Sequence, residues 1–146
     1  MTGSMVAITE SQDRGRSTRK RERDMKKILV IDDDEQIRHI LRRFLERAGY
    51  EVLEASNGQE GMALYRKEGP ELVITDIIMP KKEGMETIMD MKGEFPKAKI
   101  IAISGGGMAA PDTYLEIATR FGAQRVFSKP FELKELLNAV REMLEK

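Results

Sequence analysis

Short apolar runs alternate with longer amphipathic stretches from residue 25 onward. This alternation predicts strand–helix units around a parallel sheet, because strands covered by helices on both faces are apolar along their whole length. Four runs are of this kind, at 28–31, 72–74, 100–103 and 126–127. The run at 51–55 mixes Glu with apolar residues and is interpreted as a strand at the edge of the sheet.

The stretches between these runs carry apolar residues at helical spacing. The first has five of them at i, i+3, i+4, i+7 and i+8, which predicts a helix with this stripe in the core: Ile37, Ile40, Leu41, Phe44 and Leu45. We expect that helix to end at Ala48-Gly49. Similar patterns predict helices over 60–67, 85–95, 112–121 and 133–144, with Met85 and Met89 facing the core. The resulting class is α/β, with five strands and five helices in a doubly wound sheet.

Composition narrows the possible functions. The 146 residues suit one domain, and a formal net charge of zero gives no overall field to attract nucleic acid or a membrane surface. No apolar segment approaches the roughly 20 residues that span a bilayer, and no signal peptide is evident, so a cytoplasmic protein is predicted. With no Cys and one His, thiolate and His-rich metal sites are excluded, which leaves oxygen ligands and Lys for any chemistry.

Residues 1–24 differ from the rest of the chain. Residues 11–24 are almost wholly polar, and six Arg or Lys side chains are mixed there with Asp and Glu. Because this segment has no apolar periodicity to bury, we predict a disordered polar and basic tail preceding a single domain over 25–146. A basic arm that contacts nucleic acid or lipid is the alternative, and the interspersed acids weaken it.

Each central strand is followed by polar residues. The ligand site of a doubly wound sheet lies beyond the carboxyl ends of its strands, so these residues are expected to converge. They are Asp32-Asp33-Asp34 after the first run, Thr75-Asp76 after the third, Ser104 with Gly105–Gly107 after the fourth, and Ser128-Lys129-Pro130 after the fifth.

Charge indicates what such a site does. Asp32, Asp33 and Asp76 at one edge repel one another by roughly 4 kcal/mol per pair at about 4 Å and an effective dielectric near 20. A divalent cation relieves this repulsion, and a set of hard oxygen ligands favours Mg²⁺. Asp76 can then attack phosphorus as a nucleophile, since carboxylates form covalent phosphoryl intermediates. Lys129 and the Ser104 hydroxyl are placed to meet the transition-state charge.

Several motifs together resemble bacterial response-regulator receiver domains of two-component systems. They are ILVIDDDE at 28–35, TDIIMP at 75–80, Gly84, Ile103-Ser104, and KPF at 129–131. The resemblance covers essentially all of 25–146. It implies a flavodoxin-like parallel sheet with the strand order 2-1-3-4-5, as in single-domain chemotaxis regulators.

The resemblance also implies roles for individual residues. Asp76 is the implied phospho-acceptor, Asp33 a direct Mg²⁺ ligand, and Asp32 a helper that acts through water. The backbone carbonyl of Ile78 is the remaining implied protein ligand, while Asp34 receives no role and is interpreted as a solvated charge.

Ser104 and Lys129 are implied to contact the phosphoryl group, and the Lys129-Pro130 bond is implied to be cis. The family often has Tyr or Phe three residues before the Lys, but this chain has Val126. Phe127 is expected on the opposite face of the strand, because side chains alternate along it.

The predicted function is a stand-alone phosphorylation switch rather than a conventional enzyme. We expect a sensor histidine kinase or a histidine phosphotransfer protein as donor and an unidentified effector protein as partner. Membrane association is not expected, because no apolar segment could span a bilayer, and direct nucleic acid binding is not expected, because the sequence stops after the last helix. Two alternatives stay open: a phosphorelay intermediate, and a phosphohydrolase with Asp76 as nucleophile. A nucleotide phosphate loop at Gly105–Gly107 is a poor match, because no Lys-Ser or Lys-Thr follows it.

Overall fold

A five-stranded parallel sheet forms the centre of the protein. The computed structural model describes residues 25–77, 83–104, 116 and 118–145. The strands are β1 (Lys27–Ile31), β2 (Glu51–Ala55), β3 (Leu72–Asp76), β4 (Ile100–Ser104) and β5 (Arg125–Ser128). They are ordered β2-β1-β3-β4-β5, and all four neighbouring pairs are parallel. The predicted order and the edge position of β2 are therefore confirmed.

Helices cover both faces of the sheet. Those with described bounds are α1 (Glu35–Arg47), α2 (Gly58–Glu68), α3 (Glu83–Glu94) and α4 (Leu133–Leu144). Glu116 and residues 118–121 are also helical, within the predicted helix over 112–121. None of the described helices is both long and apolar enough to cross a bilayer. As predicted, α1 ends at Ala48-Gly49, where Gly49 adopts a φ of 100° that favours glycine.

The central strands contribute side chains alternately to two separate cores. Ile28 and Val30 pack with α1 and α4 on one face, whereas Leu29 and Ile31 pack with α2 and α3 on the other. This alternation follows from the two-residue period of a strand. It explains why the central strands β1, β3 and β4 are largely apolar, since both of their faces are covered.

Two predicted core residues are instead on the surface. Ile40 is 55% exposed and Met89 is 49% exposed. A helix turns by about 100° per residue, so Ile40 lies about 140° around α1 from the fully buried Leu45. Met89 lies about 160° around α3 from the fully buried Met91 by the same geometry. Both predictions were wrong because apolar spacing predicts that a helix forms, but does not determine which residues lie at the centre of the face that it buries.

Candidate functional site

The carboxyl ends of the parallel strands bring the predicted acidic residues together. Asp32 follows β1 directly, and Asp76 is the last residue of β3. One carboxylate oxygen from each of Asp32, Asp33 and Asp76 lies within 4.8 Å of the others. Asp32 is 3% exposed and Asp76 6% exposed, while Asp33 is exposed. Asp32 and Asp76 are therefore buried at the carboxyl ends of the strands, whereas Asp33 is open to solvent.

Asp32 is fixed at three points. Its N–H donates to the Ala55 carbonyl at 3.1 Å, and its Oδ1 accepts from the Asp34 N–H at 2.8 Å. The Asp32 carbonyl accepts a hydrogen bond of 2.7 Å from the Arg38 guanidinium. Of the side-chain oxygens, Oδ2 faces the neighbouring charged groups of the site, because it lies 4.0 Å from Lys129 Nζ.

Asp34 has a structural role that the sequence interpretation did not give it. It is exposed, as expected, but its Oδ1 accepts hydrogen bonds from the N–H groups of Gln36 at 2.9 Å and Ile37 at 3.4 Å. These contacts make Asp34 the N-cap of α1. A carboxylate at this position accepts hydrogen bonds from free backbone N–H groups and interacts favourably with the positive end of the helix dipole. A signal was available, since an Asp immediately before an apolar-periodic stretch is a typical helix start.

Lys129 brings a positive charge to the site. Its Nζ lies 3.3 Å from Asp76 Oδ2 and 4.0 Å from Asp32 Oδ2, so one ammonium faces both buried acids. The pKa of Asp32 is raised from 3.8 to about 6, mainly by burial and also by the nearby Asp76 and Asp33 carboxylates, while the hydrogen bond from the Asp34 N–H and the charge of Lys129 act in the opposite direction. Among the described residues, Lys129 therefore compensates the charge of the acidic pocket only in part.

Ser104 ends β4 beside this pocket. Its residue neighbour Ile103 pairs with Asp76 across the sheet, and the Ser104 carbonyl accepts the Lys129 N–H at 2.9 Å. The side chain is fully buried, and within the described part of the chain its Oγ makes no hydrogen bond. Buried hydroxyls without a partner are rare and costly, which is consistent with a group reserved for a ligand.

Gly84 brings α3 against the end of β3. A Cβ at this position would lie 2.2 Å from the Asp76 carbonyl oxygen and 2.5 Å from Ile77 Cα. Backbone atoms cannot yield as a flexible side chain can, so only glycine permits this approach. The first turn of α3 therefore depends on the position of the peptide that follows Asp76.

The donor set fits a hard divalent cation. Three carboxylates each place one oxygen within 4.8 Å of the others, and the group includes neither His nor Cys. Such oxygen-only sets are typical of Mg²⁺ or Ca²⁺. Asp32, Asp33, Asp76, Ser104 and Lys129 are thus brought to one edge, whereas Ile78, Gly105–Gly107 and the tail over 1–24 lie outside the described residues.

Sequence reasoning missed two residues that border the site. Arg38 reaches the Asp32 carbonyl from α1, and Glu54 on β2 accepts from Arg38 Nε at 3.1 Å. Neither belongs to a recognisable motif, because their contacts depend on how α1 crosses the sheet. The predicted cis Lys129-Pro130 bond is present, and Phe127 packs with the core on the face opposite to Val126, as expected.

The fold is thus an α/β sheet of order 2-1-3-4-5 that carries an acidic, Lys-flanked pocket at the carboxyl ends of its strands. The sequence matches the family model of the response regulator receiver domain over residues 28–141. The chain therefore belongs to the response regulator receiver family, which functions in two-component systems.

Individual relatives agree with this assignment. The response regulator receiver protein CpdR of Brucella abortus (strain 2308) is 37% identical over 122 residues, which cover 82% of this chain and 98% of that protein. The probable transcriptional regulator ycf27 of Porphyra purpurea is 39% identical over 125 residues, which cover 86% of this chain and 50% of that protein. The chain thus spans about half the length of the ycf27 regulators that it matches.

A solved structure also resembles the fold of this chain. The response regulator protein TrrA from Thermotoga maritima, in complex with Mg²⁺-BeF, has a TM-score of 0.72 and 32% sequence identity. The comparison covers 82% of this chain and all of that one.

Proposed function

We propose that this receiver domain accepts a phosphoryl group on Asp76 in the presence of Mg²⁺ and thereby changes its affinity for a partner protein. The observation that carries this proposal is the position of the Asp76 carboxylate, 3.3 Å from Lys129 Nζ and within 4.8 Å of the oxygens of Asp32 and Asp33. The Mg²⁺-BeF complex of TrrA supports it, because that ligand pair occupies a protein of the same fold.

The proposed chemistry uses residues that the structure brings together at the carboxyl ends of the strands. A carboxylate oxygen of Asp76 attacks the phosphorus of a phosphohistidine, an oxygen–phosphorus bond forms, and the nitrogen–phosphorus bond breaks, which gives an acyl phosphate and returns the imidazole. Asp32, Asp33, Asp76 and the Ile78 carbonyl are the proposed holders of Mg²⁺, which neutralises the phosphoryl oxygens when bound. Lys129 supplies a second positive charge from the β5 side.

Ser104 is the proposed sensor of the product. Its buried hydroxyl has no partner among the described residues, so a phosphoryl oxygen on Asp76 offers it a strong, charge-assisted hydrogen bond. This interaction favours a second arrangement of the β4 end, the helix over 112–121 and β5, which is the proposed output face. β5 carries Val126 on the face where the family often has an aromatic ring, so we propose that Ser104 and Lys129 transmit the change without it.

The donor is proposed to be a sensor histidine kinase or a histidine phosphotransfer protein, and the receiver of the signal an effector protein. Absence of direct nucleic acid contact and a cytoplasmic location remain predictions, as does the single domain over 25–146.

An experiment with a small phosphodonor tests the proposal. The full chain is incubated with acetyl phosphate and Mg²⁺, and the mass increase of one phosphoryl group is measured by intact mass spectrometry. Asp76→Asn is expected to abolish this increase, because an amide is not a nucleophile for phosphorus. Addition of EDTA to the wild-type protein is expected to have the same effect.

Asp34→Asn provides the matched control. It makes the same acid-to-amide change in the adjacent acidic run, and Asn caps a helix about as well as Asp. This variant is expected to be labelled as the wild type is. Stoichiometric labelling of Asp76→Asn would refute the assignment of Asp76. Repeated turnover of a phosphomonoester would instead favour the phosphohydrolase alternative.

A further inference from the structure

Arg38 joins the acidic turn to the edge of the sheet. One guanidinium nitrogen donates to the Asp32 carbonyl at 2.7 Å, while Nε donates to Glu54 Oε1 at 3.1 Å. The side chains of Arg38 and Glu54 are only 15% and 16% exposed. The pair is therefore shielded from water, and its geometry is more restrictive than that of a surface ion pair.

We infer that Arg38 is a positioning residue for the proposed magnesium site, because it fixes the β1–α1 turn that presents Asp32 and Asp33. This inference rests on the proposed function. Arg38 contacts a backbone carbonyl rather than a carboxylate of the site. It therefore acts on the orientation of the turn and not as a ligand.

Other hydrogen bonds hold the Asp32 N–H, the Asp32 carboxylate and Asp34, whereas Arg38 makes the contact described at the Asp32 carbonyl. Asp32 follows the last residue of β1, and α1 begins only at Glu35. Within this short connection Asp33 is exposed, so the position of its carboxylate follows from the backbone on either side. The contact from Arg38 sets the peptide between Asp32 and Asp33. Loss of that contact frees the peptide plane that aims Asp33 at the other two acids.

Charge and position predict opposite results when Arg38 is removed. A cation close to a metal site repels Mg²⁺, so its removal tightens binding if the long-range charge dominates. Its removal weakens binding if the orientation of the turn dominates. We expect the loss of orientation to outweigh the loss of repulsion, because Glu54 already neutralises the charge of Arg38. In addition, removing a residue that orients metal ligands typically weakens metal binding by about tenfold or more.

Arg42 supplies a matched control. Its guanidinium donates to the other oxygen of Glu54 at 2.9 Å and to Glu46 at 3.0 Å. It thus belongs to the same ion-pair network, on the same helix, yet no contact joins it to Asp32 in the described structure. Replacing Arg42 removes the same formal charge from the same network while the contact to the acidic turn is kept, although the Arg42 side chain is 46% exposed and that of Arg38 only 15%.

The test measures Mg²⁺ affinity of the unphosphorylated full chain by isothermal titration calorimetry. Arg38→Ala is expected to weaken Mg²⁺ binding by about tenfold, and Arg38→Lys nearly as much, since an ammonium lacks the rigid fork that bridges two acceptors. Arg42→Ala is expected to stay within about twofold of the wild type. The melting temperature of each variant is measured as well. If the two Ala substitutions only destabilise the protein, both lower the melting temperature and the two variants keep similar Mg²⁺ affinities.

A second measurement needs no metal. The Asp34 N–H donates to Asp32 Oδ1, so its hydrogen exchange reports the order of the turn. In Mg²⁺-free buffer we expect exchange of this amide to be faster in Arg38→Ala and unchanged in Arg42→Ala. If Arg38→Ala does not fold, the inference is tested on the Arg38→Lys and Glu54→Gln variants, by the same Mg²⁺ titration and the same measurement of Asp34 amide exchange.

Three results would overturn the inference: equal or tighter Mg²⁺ binding by Arg38→Ala, equal losses in the Arg38 and Arg42 variants, or a wild-type protein that does not bind Mg²⁺. Labelling of Asp76→Asn by acetyl phosphate would defeat the proposed function without changing these affinities. The two failures are therefore distinguishable.

Discussion

Replacement of Asp32 by Asn is expected to stabilise the metal-free protein near neutral pH. Asp32 is 3% exposed and shares its pocket with two other carboxylates, which together with burial raise its pKa from 3.8 to about 6. One pKa unit corresponds to about 1.4 kcal/mol, so ionisation of Asp32 costs the folded state about 3 kcal/mol. Asn keeps the shape and an oxygen for the Asp34 N–H but carries no charge.

The pH dependence gives this prediction its sign. Because the folded-state pKa of Asp32 lies above the unfolded value, the folded protein binds the proton more tightly. The associated stability is fully present below pH 3.8 and is lost as the pH rises through about 6. The wild type should therefore lose up to about 3 kcal/mol relative to Asp32→Asn between about pH 4 and about pH 7, and the difference should then stay constant.

Urea denaturation in the presence of EDTA, at a series of pH values, measures this difference. Asp34→Asn is the comparison variant, since it makes the same chemical change at an exposed position. Saturating Mg²⁺ should reverse the order of stability, because ligand binding to the folded state stabilises the wild type more than the variant. A free-energy difference that does not change with pH, or an Asp32→Asn protein less stable than the wild type at about pH 7 in EDTA, would refute the reasoning.

Three further variants test other parts of the site. Ser104→Ala should raise the free energy of unfolding by about 1 kcal/mol, since it removes a buried hydroxyl without a partner in the described structure. The same variant should bind beryllofluoride more weakly in a titration, and a lower free energy of unfolding would contradict the prediction. Gly84→Ala should destabilise the protein by about 3 kcal/mol in urea denaturation, because its Cβ overlaps the Asp76 backbone; a neutral effect would show that α3 can move away freely. Asp34→Ala should cost about 1 kcal/mol and Asp34→Asn much less, and equal losses would argue against the capping role.

The sequence predicted the sheet and the main site residues because both depend on local patterns. Uninterrupted apolar runs mark buried parallel strands, and the carboxyl ends of such strands meet at one edge, so Asp32, Asp76 and Lys129 were identifiable from position alone. The contact of Arg38 with the Asp32 carbonyl could not be predicted in this way. It depends on the distance and angle between α1 and β1, which no short pattern encodes.

The errors have a related cause. Ile40 and Met89 have the spacing of core residues, but the rotation of each helix about its own axis is set by the neighbours it packs against. Asp34 is different, because its capping contacts are local and the sequence signal for them was present. Contacts within a short segment, such as a helix cap, are thus predictable from the sequence, whereas the placement of helices and strands relative to one another is not.

The division of the interior into two cores limits where this protein can change shape. A strand that slid or rotated by one residue would exchange the side chains of both cores at once, for example Val30 with Ile31. Shifts of the central strands by one residue are therefore unfavourable, and we expect changes of shape at the rim where the strands end and in the edge strand β5. For protein engineering, the acidic rim and its loops can be redesigned with the strands kept, whereas a new strand sequence has to satisfy two cores simultaneously.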